Sequence, residues 1–506
     1  MFIRKKQNKS GSTSVHIVSK ANGKYKVLKS IGSTSTQAGI SILLHQAKYE
    51  LSILQAQPSL FVSDEDSIVQ GFLETLSNGN VQVIGPELVF GKIYDYIGFN
   101  AIEEDLFRHL VIARLAFPLS KLKTIDYLFR FQGLQINISA VYRFLDKLQQ
   151  QYKEQAEQIT FKHTLGLLND KISVVFYDMT TLYFEASDED DLRKTGFSKD
   201  GKHSNPQIYL GLLVTLGGYV IGYDMFEGNI FEGHTLIPFL EKMSTRFNLG
   251  KPIVIADAGL LSKANIAALE QKQYEYIIGA RIKTETDTIK KQIQQAVFTD
   301  GQILSISKHN NKLIVAHSNT RAGKDERNRK RGLQRLEKLL SKGRLTKAQI
   351  NNKGYNKYLK MQGEIIVVID YEKYHEDARW DGLKGYITNS KLSPKNIIEN
   401  YSQLWQIEKA FRMSKTDLRI RPVYHRIADR IEAHICISFV AYAIYKELER
   451  VIKKEKSTLS LKGAAGQTQN MYQLTVTLPE SKRKQNILLK MTEKQTQLIK
   501  IIAKNF

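Results

Sequence analysis

Ile172-Ser-Val-Val-Phe-Tyr-Asp178 and Pro252-Ile-Val-Ile-Ala-Asp257 are two short apolar runs that each end on an aspartate. Short runs of β-branched and aromatic residues bounded by polar ones read as buried strands. Between them, Ile208 to Leu216 and Tyr219 to Phe226 flank Gly217-Gly218, the turn signal of two adjacent strands, and Glu232 to Phe247 has helical periodicity. A helix capped at Ser262, a strand over Tyr274 to Ala280 and a later strand over Leu383 to Asn389 continue the rhythm. Strands alternating with helices predict an α/β fold, a mixed sheet flanked by helices on both faces. Open α/β sheets gather their sites at strand ends, where Asp178 and Asp257 are expected to project. Aspartate also closes many strands before turns, so neither residue alone decides between structure and chemistry.

Ser393-Pro394 marks a helix start, serine as N-cap and proline at the first helical position, and the helix is expected to run through Lys415. Its apolar stripe of Ile397, Ile398, Tyr401, Leu404, Trp405 and Phe411 has Glu408 in its middle. Desolvating an unpaired carboxylate is costly, so a core-facing Glu408 calls for a cation. Arg412, one turn on, is the structural answer; a metal ion is the catalytic one. Tyr401, Glu408 and Lys415 are spaced by sevens and form one row of about 21 Å on a continuous helix. Three carboxylates from two strand ends and a helix suit two Mg²⁺ ions roughly 4 Å apart, which activate an attacking oxygen and stabilise a leaving one.

The 506 residues, 42% hydrophobic and 25% charged, can form about two to four domains. The 74 Lys+Arg outnumber 51 Asp+Glu to give a net charge of +23, which favours a polyanionic partner, although lysine-rich codon usage raises such a count too. Between Arg321 and Lys347, eleven basic residues face three acids. Phosphate contacts by residues such as Arg327, Arg329, Lys330 and Arg331 explain that concentration better than a solvated helix does. The single cysteine, Cys436, excludes a disulfide framework or Cys-rich zinc site and agrees with a reducing cytoplasm. Met1 to Lys6 leads into no apolar signal core, and the most apolar helical stretch, Ile431 to Tyr445, is too short to span a bilayer. No membrane role is expected, which leaves nucleic acid as the partner.

Residues 1–32 alternate polar and apolar around Asn22-Gly23 and read as a small β-hairpin. Residues 33–165 are mainly helical and are expected to bind DNA. Within them Ser120 to Phe131 and Ser139 to Gln149 form two helices across Gly133, the second carrying Tyr142, Arg143 and Lys147. A helix-turn-helix and an ordinary helical hairpin share this pattern. The α/β pattern occupies residues 166–281 and 383–450. Residues 282–382 interrupt it with strands over Gln302 to Lys308, Lys312 to Ser318 and Glu364 to Tyr371 around the basic helix, and residues 451–506 remain for DNA contact or assembly.

Tyr401-x2-Leu404-x3-Glu408-x6-Lys415 resembles the Tyr-x2-Arg-x3-Glu-x6-Lys signature of bacterial insertion-sequence transposases of the DDE type. Tyr177-Asp178-Met-Thr-Thr181 and Ile255-Ala-Asp257-Ala-Gly259 resemble that family's first and second aspartate motifs. Gly196-Phe-Ser-Lys-Asp200, Phe226-Glu-Gly-Asn229 and Arg421-Pro-Val-Tyr-His425 resemble further family segments, so the resemblance spans residues 170–450. It implies an RNase H-like catalytic domain with a β-rich insertion, in which Asp178, Asp257 and Glu408 are catalytic and bind two Mg²⁺, with Mn²⁺ as a substitute. It further implies a transposase that cleaves the ends of an insertion sequence and joins them to target DNA, working in the nucleoid-associated cytoplasm as a homodimer once two ends are synapsed. Tyr401 and Lys415 would touch phosphates near the cleaved strand. Leu404 stands where the signature has arginine, which leaves that contact to Arg412 or Lys409 or removes it. The long interval between Asp257 and Glu408 matches members with a β-rich insertion. Trp380 in it is a candidate for stacking on a flipped base, with core packing as its alternative.

Gly196 to His203 nearly spells a phosphate-binding loop, but His203 replaces the Ser/Thr that holds Mg²⁺ and a strand follows where a helix is needed, so ATP binding is rejected. The acids Asp188 to Asp191 lack the spacing of a calcium loop, and the histidines include no His-Glu-x-x-His pair. A catalytically inactive DNA-binding regulator, such as a decayed transposase copy, shares every feature except cleavage. A carboxylate-pair glycosidase leaves the basic excess unexplained.

Overall fold

The computed structural model describes residues 1–21, 23–55, 69–71, 73–74, 76–198, 201–363, 366–478 and 481–506. Asn22 of the expected turn, Lys199-Asp200 of the glycine-led segment and Glu364-Ile365 at the start of an expected strand lie outside the described residues. The chain divides into a smaller unit, Met1–Asn80 with Leu474–Ile487, and a larger one, Val81–Gln473 with Leu488–Phe506. In the smaller unit β1 (Phe2–Gln7), β2 (Thr13–Ala21) and β3 (Lys24–Thr34) form an antiparallel sheet, with Ala21 opposite Lys24. Helix α1 (Gln37–Leu54) follows, its first turn capped by Thr36. The hairpin read over residues 1–32 is therefore joined by a third strand.

After β4 (Val81–Val83), the larger unit opens with helices α2 (Lys92–Ile97), α3 (Asp105–Ala116), α4 (Lys121–Gln132), α5 (Ile138–Lys147) and α6 (Lys153–Leu167). Ser120 caps α4, Gly133 ends it with φ 69°, and Asn137 caps α5, so the helix pair is where its punctuation places it.

Eight strands then build one mixed sheet. In chain order these are β5 (Val174–Tyr183), β6 (Gln207–Thr215), β7 (Val220–Glu227), β8 (Ile253–Ala256), β9 (Tyr276–Ala280), β10 (Ile303–Lys308), β11 (Asn311–His317) and, after the small pair β12 (Leu359–Gln362) and β13 (Ile366–Ile369), β14 (Leu383–Thr388). Their spatial order is β10-β11-β14-β9-β8-β5-β6-β7, with only β5-β8 and β8-β9 parallel. An antiparallel β7-β6-β5 meander continued by parallel β8 and β9 is the RNase H-like arrangement. The hairpin within residues 282–382 extends this sheet, because β11 pairs with β14 from Lys312–Thr388 to His317–Leu383.

Helices α7 (Leu236–Phe247) and α8 (Lys263–Gln271) cover one face, over Val175, Tyr177, Val254 and Ala256. The connecting helices α9 (Asp287–Gln295), α10 (Asn319–Ser341) and α11 (Tyr371–Ala378) belong to the 282–382 segment. On the other face Phe176, Ile255 and Ile277 meet α12 (Pro394–Ser402), α13 (Trp405–Arg412) and α14 (Ala428–Lys454). Helix α14 is buried around most of its circumference, as its apolar sequence demands, and packs on α3, α5 and α6. Among the described residues no helix is long and apolar enough to cross a membrane. The chain closes with α15 (Leu461–Thr468), strands β15 (Tyr472–Thr477) and β16 (Lys484–Leu488), and α16 (Glu493–Asn505).

Two sequence expectations change. Asp178 does not end its strand, since Met179 to Tyr183 continue it and Asp178 lies opposite Leu212. The helix starting at Pro394 also does not run unbroken to Lys415. Gln403, Leu404, Gln406 and Ile407 each donate to the carbonyl three residues back, and a π-turn over Met413–Asp417 follows. Such a tight turn winds about 120° per residue where an α-helix winds about 100°, so the row of sevens twists out of line.

Candidate active site

The parallel register between β5 and β8 stops at Tyr177 opposite Ala256; Asp178 is the next residue of β5, and Asp257 is the first residue beyond β8, where it caps the tight turn Ala258–Leu260. Neighbouring strands lie about 4.8 Å apart. Alternation carries both aspartates onto the face of Phe176 and Ile255, the one covered by α12 to α14. Asp178 is half-buried and Asp257 exposed. Each turns Oδ1 onto the next backbone N–H, Met179 at 2.7 Å and Ala258 at 2.6 Å.

Helix α13 brings Glu408 to this place by packing against β5 and β6. The break before Trp405 rotates Glu408 out of the apolar stripe, so it is exposed and needs no buried cation; Ile407, Ala410 and Phe411 take the core side. Trp405 is likewise 47% exposed, one turn from Glu408. Two side chains feel Glu408 and Asp257 together. Burial, then Arg321, holds the Lys384 ammonium below the usual lysine range while the two carboxylates pull it back up. Burial, then Asp257, pushes the Tyr401 phenol above its usual range, so it stays a donor, and its hydroxyl lies 3.5 Å from Asp257 Oδ1. A Cβ on Gly279 of β9 would stand 2.5 Å from that hydroxyl, so only glycine leaves Tyr401 its place.

A cleft of about 500 Å³ opens beside Asp257, lined by Arg281, Lys283, Arg321, Lys384 and Tyr401. The segments with family resemblance brace this region. The Gln207 amide donates to the carbonyls of Phe197 and Gly228, each at 2.9 Å, and the Tyr177 hydroxyl donates to Thr235 Oγ1 at 2.8 Å. Glu232, between those segments and the Asp257 turn, is an acid that sequence reasoning did not single out; a Cβ on Gly259 would stand 3.7 Å from its Oε2.

The donor set suits Mg²⁺ in kind, being carboxylates on three rigid elements facing one side of the sheet. Among the described residues no three His, Cys, Asp or Glu side chains are gathered closely enough to enclose an ion. Of the expected phosphate contacts, Arg412 is exposed beside Glu408 and Lys415 is half-buried in the π-turn. Lys409 cannot replace the missing arginine, because it is bound to Glu449. Arg327, Lys330 and Arg331 are exposed on α10, whereas Arg329 turns inward onto Asp381 and over the Tyr374 ring. Trp380, the candidate for base stacking with core packing as its alternative, is half-buried and packs on the apolar cluster of Ile282, Ile293, Leu313 and Val315.

The transposase DDE-domain family matches residues 169–444. No curated protein matches the chain. Among solved structures, a piggyBac transposase synaptic complex with hairpin DNA is 9% identical over 75% of this chain and 77% of that one, with a TM-score of 0.38. A Mos1 mariner paired-end complex with Mn is 14% identical over 29% of this chain and 52% of that one, with a TM-score of 0.15. A Mos1 transposase paired-end complex with the left transposon end is 14% identical over 34% of this chain and 57% of that one, with a TM-score of 0.16. The match thus spans little more than half the length of the Mos1 chains.

Proposed function

Because the chain belongs to the transposase DDE-domain family, we propose that it cleaves the ends of its mobile element and joins them to target DNA, with Asp178, Asp257 and Glu408 as the catalytic carboxylates. The observation that carries this reading is that Asp178 and Asp257 directly follow the last paired residues of two adjacent parallel strands, with Glu408 acting on the same Lys384 and Tyr401 as Asp257. The three acids would hold two divalent ions, Mg²⁺ or Mn²⁺, which neutralise phosphodiester charge and acidify an attacking water. Tyr401, protonated and buried, orients Asp257 by donating toward it. Lys384 offsets the mutual repulsion of Asp257 and Glu408, and Arg281, Lys283 and Arg321 along the cleft fit the backbone of the bound strand. Joining two ends calls for at least two copies of the chain, and the exposed basic face of α10 suits flanking DNA.

The test is strand cleavage. The protein is incubated with Mg²⁺ and duplex DNA bearing the repeats that flank its gene, beside Glu408→Gln. New 3′-hydroxyl ends are expected from the unaltered protein and about a hundredfold fewer, or none, from the variant. Equal product from both overturns the assignment of Glu408, and no product from either favours a DNA-binding regulator.

A further inference from the structure

Away from the acids, a second cavity of about 520 Å³ lies between the start of α4 and the segment Arg419 to His425. Its lining includes Arg114, Lys121, Arg419, Arg421, His425 and His434 and, among the described residues, no aspartate or glutamate. Three of these are nearly inaccessible, with Arg114 5%, Lys121 7% and His434 6% exposed. Arg114 and His434 are held by carbonyls of one loop: Arg114 Nη1 donates to Leu418 O at 3.5 Å and Arg419 O at 3.3 Å, and His434 Nε2 meets Ile420 O at 2.9 Å. Among the described residues no carboxylate pairs with Arg114 or Lys121. Asp146 is held by Arg430, whose Nε and Nη2 donate to its two oxygens at 2.7 and 2.8 Å. The N-terminus of α4, with Ser120 as its cap, also opens here.

Buried cations that face one another without an anion are unfavourable unless something fills the space between them. The cost is visible in the neighbours. Burial and then Arg114 hold the Lys121 ammonium well below the lysine range, and burial, then Lys121, Arg430 and Arg114, push the His425 imidazole down to about 4. An exposed tyrosine, Tyr424, rims the cavity, and Tyr142 meets His425 edge-on. The loop is fastened to the strand of the first aspartate, since Phe184 bridges Val423 and the Val423 N–H donates to Tyr183 O at 3.4 Å. Asp178 lies five residues back along that strand, or about 17 Å.

We propose that this cavity is a second anion site, separate from the acids, that seats a phosphoryl group on Lys121 and Arg114. A backbone phosphate of bound DNA and a free phosphate share the required chemistry. The DNA source rests on the transposase reading; the site itself does not. Arginine and lysine lining a cavity, with a helix N-terminus beside them, form charge-assisted hydrogen bonds to phosphate oxygens.

The experiment compares the full chain with Lys121→Met and His425→Gln. Inorganic phosphate is titrated by calorimetry and by its effect on the melting temperature, and a 30-base-pair duplex is titrated across a salt series. Phosphate is expected to raise the melting temperature of the unaltered protein and to bind Lys121→Met about tenfold more weakly. Without phosphate, Lys121→Met is expected to melt no lower than the unaltered protein, because it removes an uncompensated buried charge. If DNA is the source, duplex affinity also falls and its salt slope drops by about one. If free phosphate is the source, duplex binding is unchanged while phosphate binding is lost. Phosphate binding that is absent from the unaltered protein, or equal in all three proteins, overturns the site whether or not the chain cleaves DNA.

Discussion

Lys409 follows Glu408 in the chain and is bound to Glu449 of α14, which also accepts from Lys446 at 2.5 Å and pairs with Lys453 at 3.0 Å. This cluster fixes the helix that carries the third acid. Burial raises the Glu449 carboxyl, yet the three lysines outweigh it and hold the pKa at about 2, below the ordinary 4.5. A depressed carboxylate stabilises the fold fully above pH 4.5, and that stabilisation is lost as pH falls toward 2. Glu449→Gln leaves Lys446 buried without its anion and is expected to cost about 3 kcal/mol in denaturant unfolding. It should also flatten the stability loss between pH 4.5 and 2; an unaltered acid limb would contradict the role given to Glu449. Residue by residue, the three candidate acids stand out in the sequence because each follows or interrupts an apolar run. The depth of Asp178 was missed although Thr180, Thr181 and Tyr183 are good strand formers, because aspartate commonly closes a strand before a turn.

Helices were easier to find than to orient. Ser120, Gly133, Asn137, Ser262 and Ser393 mark their ends as capping chemistry dictates. The turn at Gln403-Leu404 carries no glycine or proline, so its rotation of Glu408 and Trp405 to the surface had no sequence signal. Lys384, Arg281 and Arg321 were equally hidden as a set, because β9, β14 and α10 meet at the cleft only through sheet pairing distant in sequence. On α10 the basic run was plain, but not which side chains it spends internally. Replacing Arg327, Lys330 and Arg331 together by glutamine is expected to weaken duplex binding and lower the slope of log affinity against log salt by about two to three. Arg329→Gln should leave that slope alone and destabilise the fold instead. Anisotropy titrations across a salt series check both; an unchanged slope in the triple variant would remove α10 from the DNA contacts.

Over the whole chain, the +23 charge resolves into distinct populations. Some cations are consumed by ion pairs such as Arg430–Asp146 and Lys446–Glu449, some lie exposed on α10, and some line the cleft beside Asp257 and the cavity behind Arg421. Against them stand the three acids that we propose converge on one metal site, Asp178 and Asp257 following the last β5–β8 pair and Glu408 on α13. That convergence is the central claim, and metal-directed cleavage of the polypeptide tests it most directly. Fe²⁺ replaces Mg²⁺ in the full chain, ascorbate and peroxide are added, and the backbone cuts are mapped by mass spectrometry, with excess Mg²⁺ as competitor. Cuts clustered near Asp178, Asp257 and Glu408, and suppressed by Mg²⁺, are predicted; cuts that omit any of these three regions, or that ignore Mg²⁺, would contradict a shared metal site.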